Sequence, residues 1–174
     1  LFDCADRDID RACALIKRKV VRCASPLVDA CSAISHRYGI PIVNIRAAVS
    51  PIADVMAGHG PGGLLQVAHA LDEAAAEAGV DFVGGYSALV HKGMTVSDRA
   101  LIESMPDALS QTSRVCASVN AASTAAGINV DALLLLGRIW LETAAKTADT
   151  DGFGCCKLGV FANIPEDNPF MAGA

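Results

Sequence analysis

The sequence predicts an α/β fold in which parallel strands are joined by helical crossovers. Short apolar runs recur along the chain, and each ends in glycine or polar residues. The segments between them have helical spacing; they are long enough for parallel pairing and too long for hairpins. The stretch Val80 to Gly93, VDFVGGYSALVHKG, shows the pattern whole. An apolar run, Val80 to Val83, meets Gly84 and Gly85 and then a loop of Tyr86, Ser87, Ala88, Leu89, Val90, His91, Lys92 and Gly93. In parallel sheets and barrels that C-terminal end is where chemistry sits.

Leu1 to Cys4 is expected to be a strand stub. Asp6 or Asp8 caps a helix from Ile9, with Ile9, Cys13, Ile16 and Val20 on one face. Ser25-Pro26 resembles an N-cap with a first-turn proline, which predicts a second helix from Pro26 to Tyr38, ended by Gly39. A strand is expected over 41–48, and then a loop or short helix kept irregular by Gly58, Gly60, Gly62 and Gly63. Leu64 to Ala78 carries an amphipathic stripe and stops at Gly79. The organising strand is placed at 80–84. Ser97-Asp98 caps a helix from Arg99 that Pro106 interrupts or restarts. A strand follows at 114–119, then a small-residue loop, Asn120 to Gly127. Asn129 caps a long helix ending near Lys146, and the last strand spans 157–163.

Composition narrows the function classes. The chain has 174 residues, 52% of them apolar and 19% charged, with a net charge of -5. Its mean hydropathy is +0.38. The acidic balance gives no basic footprint for nucleic acid. No apolar run is long enough to span a bilayer, so no membrane partner is expected. Seven cysteines without CxxC spacing point to free thiols in a reducing compartment, the cytoplasm. The chain lacks an initiator Met and is expected to be a piece of a longer protein, its apolar excess facing segments outside it.

Polar residues collect at the strand ends. Asp3 lies at the first. Asn44 and Arg46, two apart, share a strand face, where the guanidinium fork suits a carboxylate or phosphate. The alternatives are a structural ion pair or an exposed edge strand. Arg46 is expected to be buried and held by Asp3 or Glu166 until an anion arrives. Ser87, His91 and Lys92 mark the central loop. His91 is either an acid/base near neutral pH or a solvated loop residue. Ser118 and Asn120 end the next strand, Ser123 and Thr124 follow it, and the use expected of these hydroxyls is to cap backbone groups. Asn163 precedes Glu166, Asp167 and Asn168, set between prolines; they can bind a cation, act as acid and base, or form a rigid turn. Cys155-Cys156 sits at the other end of its strand and reads as incidental. Asp3, Arg46, Ser87, Asn120, Asn163 and Glu166 are expected to converge on one sheet edge.

The stretches GIPIVNIRAAVSPI, VDFVGGYSALVHKG, VCASVNAASTAAGINVDA and FANIPEDNPFMAGA resemble those of the PFL family, domain of unknown function 711. The resemblance covers essentially the whole chain and implies that this is the N-terminal part of a longer protein. It also implies a fold related to pyruvate formate-lyase, a ten-stranded α/β barrel of two five-stranded parallel halves. Residues 1–174 would then form a single partial domain, one half-barrel. The family is similar in fold only and looks to lack the glycyl-radical motif, so no lyase activity is implied. Its motif positions fall at Asp3, Asn44, Arg46, Ser87, Lys92, Ser118, Asn120, Ser123, Thr124, Asn163, Glu166, Asp167 and Asn168; His91 and Cys155-Cys156 depart from the pattern.

Two functions follow as expectations. One is an enzyme binding or converting a small anionic metabolite, with Arg46 and Lys92 as clamp and Glu166 and Asp167 as acid/base or metal groups. The other is a sensor that needs only the clamp. Cofactor and metal are left open, and the full-length protein is expected to be a homo-oligomer.

Overall fold

The computed structural model describes residues 1–165, so Glu166, Asp167 and Asn168 lie outside the described residues. The fold is mixed α/β with a sheet that is mostly parallel. Its strands are β1 (Arg46–Ala48), β2 (Phe82–Leu89), β3 (Val115–Ser123), β4 (Gly127–Ile128) and β5 (Leu158–Ala162). The main helices are α1 (Ile9–Tyr38), α3 (Pro61–Ala78), α4 (Val96–Gln111) and α5 (Val130–Lys146), with one-turn helices α2 (Ile52–Val55) and α6 (Phe153–Cys156).

β1 pairs in parallel with β2, and β2 with β3. β5 also pairs in parallel with β3, over the same residues Ala117 to Asn120 that β2 occupies, so the two lie on opposite edges of β3. The parallel order is therefore β1-β2-β3-β5. All the expected strands that form pair in parallel. The one antiparallel ladder among the described residues, Ala122 with Ile128 and Ser123 with Gly127, joins β3 to the unexpected β4.

The helices α1, α3, α4 and α5 pack side by side in that order as one layer. They cover the sheet face carrying Val83, Tyr86, Ala88, Val115, Ala117, Val119 and Leu158, all of them core residues. Two separate helices were expected before Gly39; α1 is one helix that runs through Pro26. Its buried positions Ala12, Ile16, Val20 and Ala24 repeat every four residues without a break at that point. Ser25 Oγ donates to Val21 O at 2.8 Å, and the exposed Pro26 leaves the freed carbonyl to water. Gly39, at φ 65°, closes the helix with its N–H on Ser35 O.

Other boundaries shift for definable reasons. Residues Phe2–Cys4 form a turn of 3-10 helix, not a strand, with Asp3 on Lys19. β1 is shorter than expected because a ladder needs a partner, and β2 begins only at Phe82, opposite Arg46. β2 in turn does not stop at the glycines. Gly85 sits at φ 107°, and the register with β3 shifts between Val83 and Tyr86. This bulge lets Val83 and Tyr86, three residues apart, both face the helices. α4 is capped at Thr95, not at Ser97-Asp98. Thr95 Oγ1 accepts from Asp98 N (3.1 Å), and Asp98 Oδ2 accepts from Thr95 N (2.8 Å), a full capping box. α5 starts after Asn129, as expected.

Candidate functional site

Side chains alternate along a strand, so the residues between the core positions form the second face of the sheet. On β3 these are Cys116, Ser118 and Asn120; the register sets Ser87 beside Ser118, and Gly159 and Phe161 beside Ser118 and Asn120. Arg46, Gly84, Cys116, Ser118, Lys157, Gly159 and Phe161 line a cavity of about 170 Å³. Ser118 is 5% exposed, and its Oγ has no hydrogen-bond partner among the described residues. An orphaned buried hydroxyl costs about 1–3 kcal/mol unless something fills its bond.

Two charges border this cavity. Arg46 is exposed rather than buried, because it opens the edge strand β1. It is held by neither Asp3 nor any other described carboxylate. Its Nε donates to Asn44 Oδ1 at 2.6 Å, and its guanidinium carbon lies 5.2 Å from the Phe82 ring centroid. Lys157 is buried; its Nζ donates to Leu109 O (2.8 Å) and to Thr112 O, two carbonyls at the end of α4. Burial pushes its ammonium below the ordinary lysine range. Burial likewise pushes the Cys116 thiol up, against the opposing pull of Arg46 and Lys157.

The C-terminal ends of the strands carry a second polar group. Ser87 is fully buried and donates to Gly85 O at 3.2 Å. Asn120 meets His91 Nδ1 at 3.3 Å. Asn163, left-handed at φ 54°, accepts from Thr124 N and from Thr124 Oγ1 at 2.9 Å. Ser123 Oγ accepts from Ala126 N within the β3–β4 turn, the bland role open to it.

The expected convergence is therefore partial. Ser87, Asn120 and Asn163 do reach the C-terminal edge. Arg46 shares a face with Ser87 and Asn120 but is level with Phe82, the start of β2. At about 3.3 Å per residue this lies about 20 Å from the Asn120 end. Asp3 is off the sheet, and Lys92 is exposed in the turn after β2. Cys116 was not singled out from the sequence; Ser118 was, as a backbone cap and as a motif position of the resembled family, but not as a cavity residue. The available signal was the period-two run Cys116, Ser118, Asn120, hidden by ending the strand at 119. Among the described residues, no group of three or more His, Cys, Asp or Glu side chains could hold a metal ion. No described helix is long and apolar enough to cross a membrane.

Comparison with known proteins places the chain in a family. It is 57% identical over all 174 residues to a UPF0210 protein of Desulfovibrio desulfuricans, and likewise 57% to one of Desulforudis audaxviator. A UPF0210 protein of Carboxydothermus hydrogenoformans is 48% identical over the same residues. The chain spans 38% of the length of each of these relatives. The family model described as Uncharacterised ACR (DUF711) matches residues 1–174, and the chain belongs to that family.

Proposed function

We propose that the second face of the sheet is the ligand face of a barrel and binds a small anionic metabolite, with Arg46 as the cation and Ser118 as a hydrogen-bond donor. The observation that carries this reading is the buried Ser118 Oγ, without a hydrogen-bond partner among the described residues, lining the same cavity as Arg46. Arg46 spends its Nε on Asn44, and the rest of its fork remains for a planar anion. Gly84 and Gly159 lack the side chains that would fill the floor.

Parallel strands in sequential order, with the helices in one layer, are what half of a barrel related to pyruvate formate-lyase would show, without its radical chemistry. The share of the relatives covered leaves room for a second half. Residues 1–174 would be one partial domain. Lys92, Asn163 and Thr124 would rim the mouth, with Glu166, Asp167 and Asn168 beyond the described residues. A sensor needs only the Arg46 clamp; an enzyme needs a proton-transfer group facing it. The free thiols fit a cytoplasmic protein, and the exposed Leu134 and Leu141 on α5 fit a homo-oligomer.

The test is calorimetric titration of the full-length protein with malonate, pyruvate and inorganic phosphate. At least one should bind, and Arg46→Ala should weaken it about 10- to 100-fold, the loss of one charged hydrogen-bonding group. Arg46→Lys should fall between, because charge survives and the fork does not. Unchanged affinity in both Arg46→Ala and Ser118→Ala would refute the site.

A further inference from the structure

The amide of Asn120 is 4% exposed and wedged between the ends of three strands. One end of it faces the backbone carbonyls of Phe161, at 3.3 Å, and Ala122, at 3.1 Å; the other faces His91 Nδ1 at 3.3 Å. A carbonyl oxygen only accepts hydrogen bonds, so the amide end that faces two of them is the nitrogen. The amide oxygen therefore faces the imidazole. That oxygen also only accepts, so His91 Nδ1 must carry a proton. A neutral imidazole has a single N–H, and its Nε2 is left as a bare lone pair.

We propose that His91 is the proton-transfer group of the ligand face, with Nε2 as the base and Asn120 as the positioning residue that fixes its tautomer. The proposal rests on the ligand reading above and sharpens it from binding toward conversion. His91 is the second residue after β2, at the C-terminal end of the sheet. Asn120 is two residues beyond Ser118 on the same face of β3, a step of about 7 Å. Ser118 thus stands between the level of Arg46 and the imidazole, one two-residue step from the side chain that holds His91. In the step, Nε2 forms an N–H bond as an X–H bond of the ligand breaks, and the bonding pair stays on X. The imidazolium so formed keeps its Nδ1–H on Asn120 Oδ1.

The tautomer can be read without knowing the ligand. Full-length protein with [15N]histidine is examined by long-range 1H–15N correlation over a pH series, and the tautomer is read from the neutral ring at the alkaline end. The His91→Gln variant assigns the resonance. An Nδ1–H pattern for His91 is the expected result; an Nε2–H pattern overturns the proposal. A second arm measures carbethoxylation of His91 by diethyl pyrocarbonate, with the bound anion among malonate, pyruvate and phosphate present. At about ten times its dissociation constant the anion should slow modification about tenfold. Unslowed modification with the anion bound would place the ring away from the ligand and overturn the role. Absence of binding by all three anions would refute the ligand reading and the proton-transfer role with it, while the spectrum would still settle the tautomer.

Discussion

Replacing Gly85 by alanine probes the feature that sets which side chains reach which face. Gly85 sits at φ 107°, a conformation L side chains rarely adopt. A Cβ built there would lie 2.3 Å from Val49 O and 2.6 Å from Val49 Cγ2. The nearest obstacle is backbone and cannot rotate away; it belongs to a residue whose own N–H is bonded to Gly84 O at 3.0 Å. Strain at such a φ costs about 1–3 kcal/mol, and forcing an extra carbon into a packed site about 1–3 kcal/mol more. Together they predict a loss of about 2–6 kcal/mol, a large part of a total stability of about 5–15 kcal/mol. The check is urea denaturation of the variant beside Gly62→Ala. Gly62 lies inside α3 with nothing within 4 Å of its would-be Cβ, so that change should stabilise by about 0.5–1 kcal/mol. A Gly85→Ala protein within about 1 kcal/mol of wild type would show that the bulge is not fixed by Val49 and that the face assignment of Ser87 needs revision.

Two further outcomes follow from buried hydroxyls and caps. Tyr86 is fully buried and bonded to Ser104 Oγ at 2.5 Å, and Ser104 also donates to Leu101 O. Tyr86→Phe leaves Ser104 with a partner and should cost about 1 kcal/mol by urea denaturation. Burial pushes the Tyr86 phenol above its ordinary range, so the folded state resists ionisation. Wild-type stability should be intact below the unfolded value of about 10 and fall as pH rises past it, a loss that Tyr86→Phe escapes. The gap between the two proteins should therefore narrow on going from about pH 9 to about pH 11; a constant gap would refute the burial argument. Thr95→Ala removes one half of the α4 capping box and should cost about 1 kcal/mol, whereas Ser97→Ala, the cap expected from sequence, should cost less.

The parallel α/β class was legible because apolar runs and helix-length crossovers are local properties. The residues that carry α3 and α5, with Gly79 and Asn129 at their ends, declare themselves in the same way. What failed were decisions that depend on partners distant in sequence. Ser25-Pro26 looks like a helix start, yet the stripe Ala12, Ile16, Val20, Ala24 is buried along α3 and holds one helix through it. Gly84-Gly85 reads as the end of a strand. It is a bulge inside one, because the pairing with β3 resumes beyond it, from Tyr86 opposite Ala117 to Leu89 opposite Asn120. Residues 40–44 have strand composition but lack a ladder partner, so their composition goes unused. The site suffered the same limit. Asn44, expected on the same strand face as Arg46, lies before β1 and instead accepts from the Arg46 Nε, and the level of Arg46 on the sheet follows from where β2 begins, which no local pattern states.

The two faces of the sheet also bear on the choice between a scaffold and a ligand-binding barrel. A face meant for water usually alternates in charged and long polar residues, and a face meant for helices is apolar. The second face here matches neither. Its central positions are Ser87, Ser118 and Asn120, neutral and buried, with Gly159 beside Ser118. Gly159 is small for a visible reason: a Cβ there would come within 2.7 Å of the Phe161 ring, which lies across it. Packing explains Gly159 and Phe161, and the ladder carbonyls explain Asn120. Neither explains Ser118, whose hydroxyl gains nothing from its neighbours and would be cheaper as alanine if the face were only structural. An unmatched polar atom held in place by well-matched ones supports the proposed ligand reading over a purely structural face.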